Sequence, residues 1–350
     1  MFSMSTLYRE DIQHILQSDI PFSMLRDKAV LITGATGLIG TYLVDALMQK
    51  SIHEKMNITV YAVGRNIQSA QERFGIYFHE NNFHFIQWDV NMDCPLGVHA
   101  DYIIHAASNT HPKAYASDPI GSILTNLLGL HNILRYGYNT KAKRVMFLSS
   151  VEIYGEAWQN EDIFDESYCG YIDCNTLRAG YPEGKRAGEA LCQAYIAKYG
   201  MDIVIPRLSR VYGATMRRSD SKAMAQFIWN SVYREDIVLK SSGTQRFSYL
   251  YAADAASALL FLLCKGETGS AYNLAGKDPI LTLREIASIL AQVNNKKIVL
   301  DLPDDVEKRG FSKATTAVMS VEKIRSLGWA ARYDTASGLK RTVSIIREGL

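Results

Sequence analysis

The chain has 350 residues, 47% hydrophobic and 21% charged, with a formal net charge of +2. This is an ordinary soluble globular composition, and a charge so close to neutral argues against a nucleic-acid or membrane surface. Its length suits one large domain or two closely joined ones. Cys94, Cys169, Cys174, Cys192 and Cys264 are odd in number and lack metal-type spacing. They read as reduced thiols in a cytoplasm, with no metal centre. No run of about 18 apolar residues marks a membrane span, and no basic-then-apolar stretch opens the chain, so a cytoplasmic protein is expected.

Residues 5–18 carry Leu7, Ile12, Ile15 and Leu16 as an apolar stripe at helical spacing, with Pro21 beyond. Residues 1–27 are therefore expected to form a helical extension that docks on the body of the fold. The apolar run 28–33 has the pattern of a buried parallel strand. Gly34, Gly37 and Gly40 follow it, then a helix to about Lys50. Further strands are predicted over 58–63, 83–88, 102–105 and 144–149, with helical segments between most of them, notably 118–138. A long helix then runs from Tyr181 to about Tyr199, followed by a strand over 202–206. This β-α alternation predicts an α/β fold with a doubly wound parallel sheet over residues 28–206. Beyond 207 the pattern loosens, with helices over 221–232, 253–264, 282–293 and 320–326 and strands over 237–240, 271–274 and 297–300. Residues 207–350 are expected to be mainly a smaller mixed α/β substrate lobe, with some elements returning to the sheet.

Gly34-x-x-Gly37-x-x-Gly40 stands between a buried strand and a helix, the context a dinucleotide turn needs. Its glycines allow a tight turn and close approach of a pyrophosphate, which meets the helix N-terminus. The turn residues Gly34, Thr36, Gly37, Leu38, Ile39 and Gly40 are candidate cofactor contacts. The plainer alternative is a Gly-rich βα turn without a ligand. An NAD site usually has an acid after the second strand to hold the ribose 2′-OH, yet this chain has Gly64-Arg65. Arg65 could pair with a 2′-phosphate, which favours NADP over NAD; otherwise it stacks on adenine or is solvated. Asp89 and Val90, just past the third strand, are placed to meet the adenine. Tyr181 and Lys185 lie one helical turn apart on the same face. An ammonium there is expected to lower the phenol's pKa, so that Tyr181 takes the proton of a sugar or alcohol hydroxyl.

Four motifs occur in order: the glycine turn, His105-Ala-Ala-Ser108, Ser149-Ser150-Val-Glu152-Ile-Tyr154-Gly155 and Tyr181-x-x-x-Lys185. Together they resemble the extended short-chain dehydrogenase/reductase superfamily, whose members modify nucleotide sugars, from about residue 28 to 345. Within it the chain is most similar to the UDP-glucuronate decarboxylases. The run from His105 to Pro119, with Pro112, Tyr115 and Asp118, carries that likeness. So do Asn126, the stretch Arg178 to Arg186, Arg207, Tyr212-Gly213 and Gly243-Thr-Gln245. The resemblance implies a Rossmann-like fold and a C4 oxidation. Tyr181 would deprotonate the sugar 4-OH. Ser150 would bond the 4-oxygen, and Lys185 would hold the nicotinamide ribose. Glu152 would lie near C5. Ala106, Ala107, Ser108 and Asn126 would line the cofactor, while Thr110, Arg178, Arg207, Arg210 and Arg246 would face a nucleotide diphosphate sugar. It also implies a homodimer through helices 118–138 and 181–199, with Ala187, Leu191, Ala194 and Tyr195 as a possible seam. Three positions depart from the family pattern. Val151 replaces the acid of glucose-type 4,6-dehydratases, Phe247 stands where the family has an arginine that Arg246 precedes by one residue, and Gly64 replaces the ribose-binding acid. The leading expectation is a decarboxylase-like or C4-epimerase reaction. The alternatives are an NADPH-dependent 4-ketoreductase, a 4,6-dehydratase, or a non-catalytic dinucleotide-binding protein.

Overall fold

The computed structural model describes residues 5–95, 97–108, 110, 117–157, 163–278, 280–301 and 315–350. In chain order the first half contains α1 (Thr6–Gln17), β1 (Ala29–Thr33), α2 (Leu38–Glu54), β2 (Thr59–Gly64), α3 (Ile67–Phe74), β3 (Phe83–Gln87) and β4 (Tyr102–His105). Next come α4 (Pro119–Leu124), a π-helical segment (Thr125–Gly129) and α5 (Leu130–Asn139). They are followed by β5 (Arg144–Phe147), β6 (Ser149–Ser150), α6 (Gly180–Tyr199) and β7 (Ile203–Leu208). Across the sheet the order is Ala271–Leu274, β7, β5, β4, β1, β2, β3, with β6 pairing to β7. Every pairing in it is parallel. The strands are short apolar runs because helices cover both faces; Tyr102–His105 is buried at every position. The result is the doubly wound, Rossmann-like sheet that the alternation predicts. The strand order reverses between β1 and β4, which opens a crevice outside their carboxyl ends.

Two expected elements are interrupted. The strand over 144–149 breaks at Leu148, whose carbonyl accepts a 2.6 Å hydrogen bond from Lys185 Nζ instead of joining the ladder. The helix over 118–138 contains the π segment, a feature found often at functional sites. Within it Asn126 is fully buried.

The second half contains β8 (Arg210–Tyr212), α7 (Ala223–Val232), β9 (Ile237–Leu239), β10 (Arg246–Phe247), β11 (Tyr249–Tyr251), α8 (Ala252–Lys265) and β12 (Ala271–Leu274). After them come β13 (Leu281–Thr282), α9 (Leu283–Gln292), β14 (Ile298–Leu300), β15 (Thr316–Ala317), α10 (Glu322–Ser326) and α11 (Thr335–Glu348). Strand β12 enters the main sheet beside β7. Helix α8 is apolar on almost every face and buried throughout, and it packs against α2. Three small sheets, β8–β11, β9–β14 and β13–β10–β15, make up the rest of the lobe. Helix α11 was not anticipated, although Asp334 caps it and Leu339, Val343 and Ile346 give it a buried stripe.

Helix α1 docks on α2, α8 and α11. Its buried face is Tyr8, Asp11, Ile12 and Ile15, whereas Leu7 and Leu16 are only half-buried. The expected apolar stripe is thus rotated to include a carboxylate. Asp11 accepts hydrogen bonds from the Tyr251 phenol and from Arg341 Nε at 2.9 Å. Among the described residues no helix is long and apolar enough to cross a membrane.

Candidate active site

The glycine turn joins β1 to α2 at the sheet's crevice. Gly34 has φ +67°, and a Cβ there would stand 2.8 Å from the Ala106 carbonyl oxygen. A Cβ at Gly40 would meet the Ala35 oxygen at 2.7 Å. These contacts are with backbone, which cannot swing away, so the turn admits only glycine at both positions. Gly37 caps α2, and being glycine it makes no side-chain cap bond to the helix's first N–H groups. The turn therefore presents free donors and the positive end of the helix dipole. The residues present fit a dinucleotide pyrophosphate: side-chain-free backbone at Gly34 and Gly40 and the N-terminus of α2.

The neighbouring cofactor candidates gather around the same crevice. Thr33 Oγ1 pairs with His105 Nδ1 at 2.8 Å and accepts from Ala107 N at 3.2 Å, tying the ends of β1 and β4 together. Burial, aided by Lys185, lowers the His105 imidazole to about 3, so it is neutral. Ser108 Oγ donates to Asn126 Oδ1 at 3.0 Å. Val90 is buried, and a Cβ at Gly129 of the π segment would press on its Cγ2 at 2.8 Å. Asp89 Oδ1 accepts from Asn91 N at 3.0 Å. Arg65 is exposed at the end of β2. Asn109 and residues 111–116, with Pro112 and Tyr115, lie outside the described residues.

Tyr181 sits in the first turn of α6 and Ser150 ends β6. The Ser150 hydroxyl hydrogen-bonds the phenol and also accepts from Glu152 N at 3.2 Å. The expectation that Lys185 depresses the phenol's pKa is corrected here. Burial pushes Tyr181 up to about 12, Ser150 and Arg178 act to lower it, and Glu152 acts to raise it. Burial also lowers Lys185 itself to about 7. Its Nζ donates to the Leu148 carbonyl and lies 5.9 Å from the Tyr181 ring centre.

Glu152 is the centre of a charged cluster beside Ser150. Arg178 Nη2 reaches its Oε2 at 2.6 Å, and Arg210 Nη1 lies 3.7 Å from its Oε1. Lys222 donates to Thr110 Oγ1 at 3.3 Å and lies 3.8 Å from Asp220. Arg178 and Arg210 thus meet at Glu152, and Thr110 meets Lys222. Lys222 was missed, because a single lysine before a helix carries no motif. The Arg210 guanidinium lies 3.6 Å over the Phe247 ring. Phe247 is buried and Arg246, its neighbour on β10, is half-buried. So the one-residue shift puts a ring under Arg210 where an arginine was expected.

Two of the residues singled out in the sequence have partners within the fold. Arg207 donates through Nε and Nη2 to Glu189 at 3.0 and 2.7 Å. Its Nη1 donates to the Tyr154 phenol at 3.0 Å and to the Glu166 carbonyl at 2.7 Å. Tyr195 is buried and bonds His131 Nδ1 at 3.0 Å, while Ala187 and Ala194 are exposed. Cys169 and Cys174 are exposed, free thiols. Among the described residues no group of His, Cys, Asp or Glu could hold a metal ion.

Comparison with known proteins agrees with this geometry. The family model described as "NAD dependent epimerase/dehydratase family" matches residues 30–275. UDP-glucuronic acid decarboxylase 3 of Arabidopsis thaliana is 30% identical over 316 residues, covering 89% of this chain and 86% of that one. UDP-glucuronic acid decarboxylase 1 of Danio rerio is 29% identical over 322 residues, covering 90% and 72%. The crystal structure of UDP-glucuronic acid 4-epimerase from Bacillus cereus, in complex with UDP-glucuronic acid and NAD, superposes with a TM-score of 0.77. It is 20% identical and covers 92% of this chain and all of that one. With its glycine turn, its Ser150–Tyr181 pair and a family match across most of its length, the chain belongs to the NAD dependent epimerase/dehydratase family and is an enzyme of the extended short-chain dehydrogenase/reductase type.

Proposed function

We propose that the protein oxidises C4 of a nucleotide diphosphate sugar and then decarboxylates it at C5, as its UDP-glucuronic acid decarboxylase relatives are named for doing, or inverts C4. The observation that carries this reading is Glu152, held between Arg178 and Arg210 two residues from the Ser150–Tyr181 pair. When bound, the nicotinamide ring supplies a hydride acceptor for the sugar carbon. Gly34, Gly37 and Gly40 would hold the pyrophosphate, and Val90 and Asp89 would border the adenine. Ser150 would bond the 4-oxygen and Tyr181 would take its proton. Lys185, fixed on the Leu148 carbonyl, would meet the ribose. A ketone at C4 stabilises the electron pair left at C5 when CO₂ departs; C5 then takes a proton, and return of the hydride to C4 restores the alcohol. Glu152 and its two arginines would border that carbon, with Arg210 supplying the cation that Phe247 cannot.

The test is incubation of the purified protein with UDP-glucuronic acid and a panel of other nucleotide sugars. A product lighter by about 44 mass units marks decarboxylation, an isomer of unchanged mass marks epimerisation, and a loss of about 18 marks dehydration. No turnover of any nucleotide sugar, with cofactor bound, sinks the reading. A second reading, favoured by Arg65 and the missing acid at Gly64, is a 4-ketoreductase; stoichiometric NADPH consumption identifies it. In either case we read the cofactor as NADP in preference to NAD. We also propose a homodimer through α4, the π segment and α6. Ile120, Ile123, Leu124 and Leu128 support this, since all four stand exposed along that face.

A further inference from the structure

Beyond Arg65, a second guanidinium stands at the same corner of the crevice. Arg217 Nη2 lies 3.4 Å from Thr36 Oγ1, in the middle of the glycine turn. Thr36 Oγ1 is in turn 3.8 Å from where a Cβ of Gly64 would be. The end of β2, the turn and Arg217 therefore meet at one point, and that point is where an acid would hold the ribose 2′-OH. Glycine at 64 removes that acid and leaves room for a larger group.

The placement of Arg217 is built in by its neighbours. Thr215, fully buried, donates through Oγ1 to the Leu38 carbonyl at 2.6 Å. Arg73 Nη2, from α3, donates to the Thr215 carbonyl at 2.9 Å. The segment between β8 and α7 is thus bolted to the first turn of α2. Burial and the charge of Arg217 both lower the Arg73 pKa, so the two guanidiniums feel each other. Among the described residues no carboxylate forms an ion pair with Arg217 or Arg65. Like charges gathered without a carboxylate on a surface corner are stabilised by a multivalent anion.

We propose that Arg217 and Thr36, reaching from the second lobe and the glycine turn, complete with Arg65 a site for the 2′-phosphate of NADP. The proposal rests on the dinucleotide reading above. Arg217 is then a specificity residue supplied by the segment that follows β8, outside the glycine turn itself.

The experiment is equilibrium binding of 2′,5′-ADP and ADP, and of NADPH and NADH by nicotinamide fluorescence, to the full chain. We expect R217A, an exposed change, to weaken 2′,5′-ADP and NADPH about tenfold or more and ADP and NADH less than about twofold. Arg217→Lys should recover part of the loss, and Gly64→Asp should reverse the preference. Equal affinity of wild type for the paired ligands, or an equal loss for both in R217A, overturns this proposal and leaves the dinucleotide site standing. Binding of none of the four ligands overturns the dinucleotide site as well.

Discussion

Arg207 offers the sharpest test of how this chain divides labour between structure and chemistry. The side chains of Arg207 and Glu189 are 12% and 13% exposed, and the pair is bidentate. Two further bonds from Nη1 run to Tyr154 and to the Glu166 carbonyl. Replacing Arg207 by Met leaves the Glu189 carboxylate buried, with Ser149 Oγ as its remaining donor. Breaking such a pair by removing one partner costs about 3–5 kcal/mol. At an unfolding entropy of about 2.1 cal/mol/K per residue, 350 residues give roughly 0.7 kcal/mol/K, so Tm should fall by about 4–7 °C. Adding Glu189→Gln should return much of that loss, because the orphaned charge disappears, and the double-mutant cycle isolates the coupling. The assay is thermal unfolding of the four proteins, alongside KM for whichever nucleotide sugar turns over. A melting point within about a degree of wild type, together with a raised KM, would refute the structural role and return Arg207 to the substrate.

Three further predictions address the crevice itself. Tyr181→Phe should lower kcat by about 10²–10⁴ with dinucleotide affinity unchanged; near-normal turnover shows that another group takes the proton. Burial lowers Lys185 from 10.5 to about 7, so between those values the unfolded chain holds a proton that the folded protein lacks. Unfolding free energy should therefore rise with pH through that window, by up to about 1.4 kcal/mol per unit from this group. Denaturant titrations at about pH 7.5 and 8.5 should show that rise in wild type and its loss in Lys185→Met; the same slope in both proteins removes the assignment. Gly34→Ala should cost about 1–3 kcal/mol in stability, because φ +67° and the Ala106 oxygen both oppose a side chain. It should also weaken dinucleotide binding; an undisturbed affinity contradicts the cradle.

Much of the sheet was legible because its strands are apolar runs punctuated by glycine and flanked by helices of clear period. The edges of β4 and β12 matched to the residue, since Tyr102–His105 and Ala271–Leu274 are bounded by turn-forming neighbours. The two- and three-residue strands β10, β11, β13 and β15 are too short to carry a period, and their pairing is set by residues up to 70 positions away. In the site, residue types were readable but their surroundings were not. No spacing rule brings Arg178 onto Glu152 across 26 residues or spends Arg207 on Glu189. Nor does the spacing of Tyr181 and Lys185 reveal that burial governs both groups. The π segment was equally hidden, because no residue type or spacing in Thr125–Gly129 marks a π turn.

The buried carboxylate of Asp11 constrains the order in which the molecule can assemble. It is fully buried, and burial raises its pKa despite the bonds from Tyr251 and Arg341. Arg341 lies 330 positions along the chain and grips Asp11, Glu10 and the Leu7 carbonyl together. A carboxylate moved out of water before that arginine arrives would be uncompensated. Docking of α1 with its carboxylate ionised therefore requires α11 to be in place. That contact closes a loop of 330 positions, so α1 ties two distant parts of the chain together.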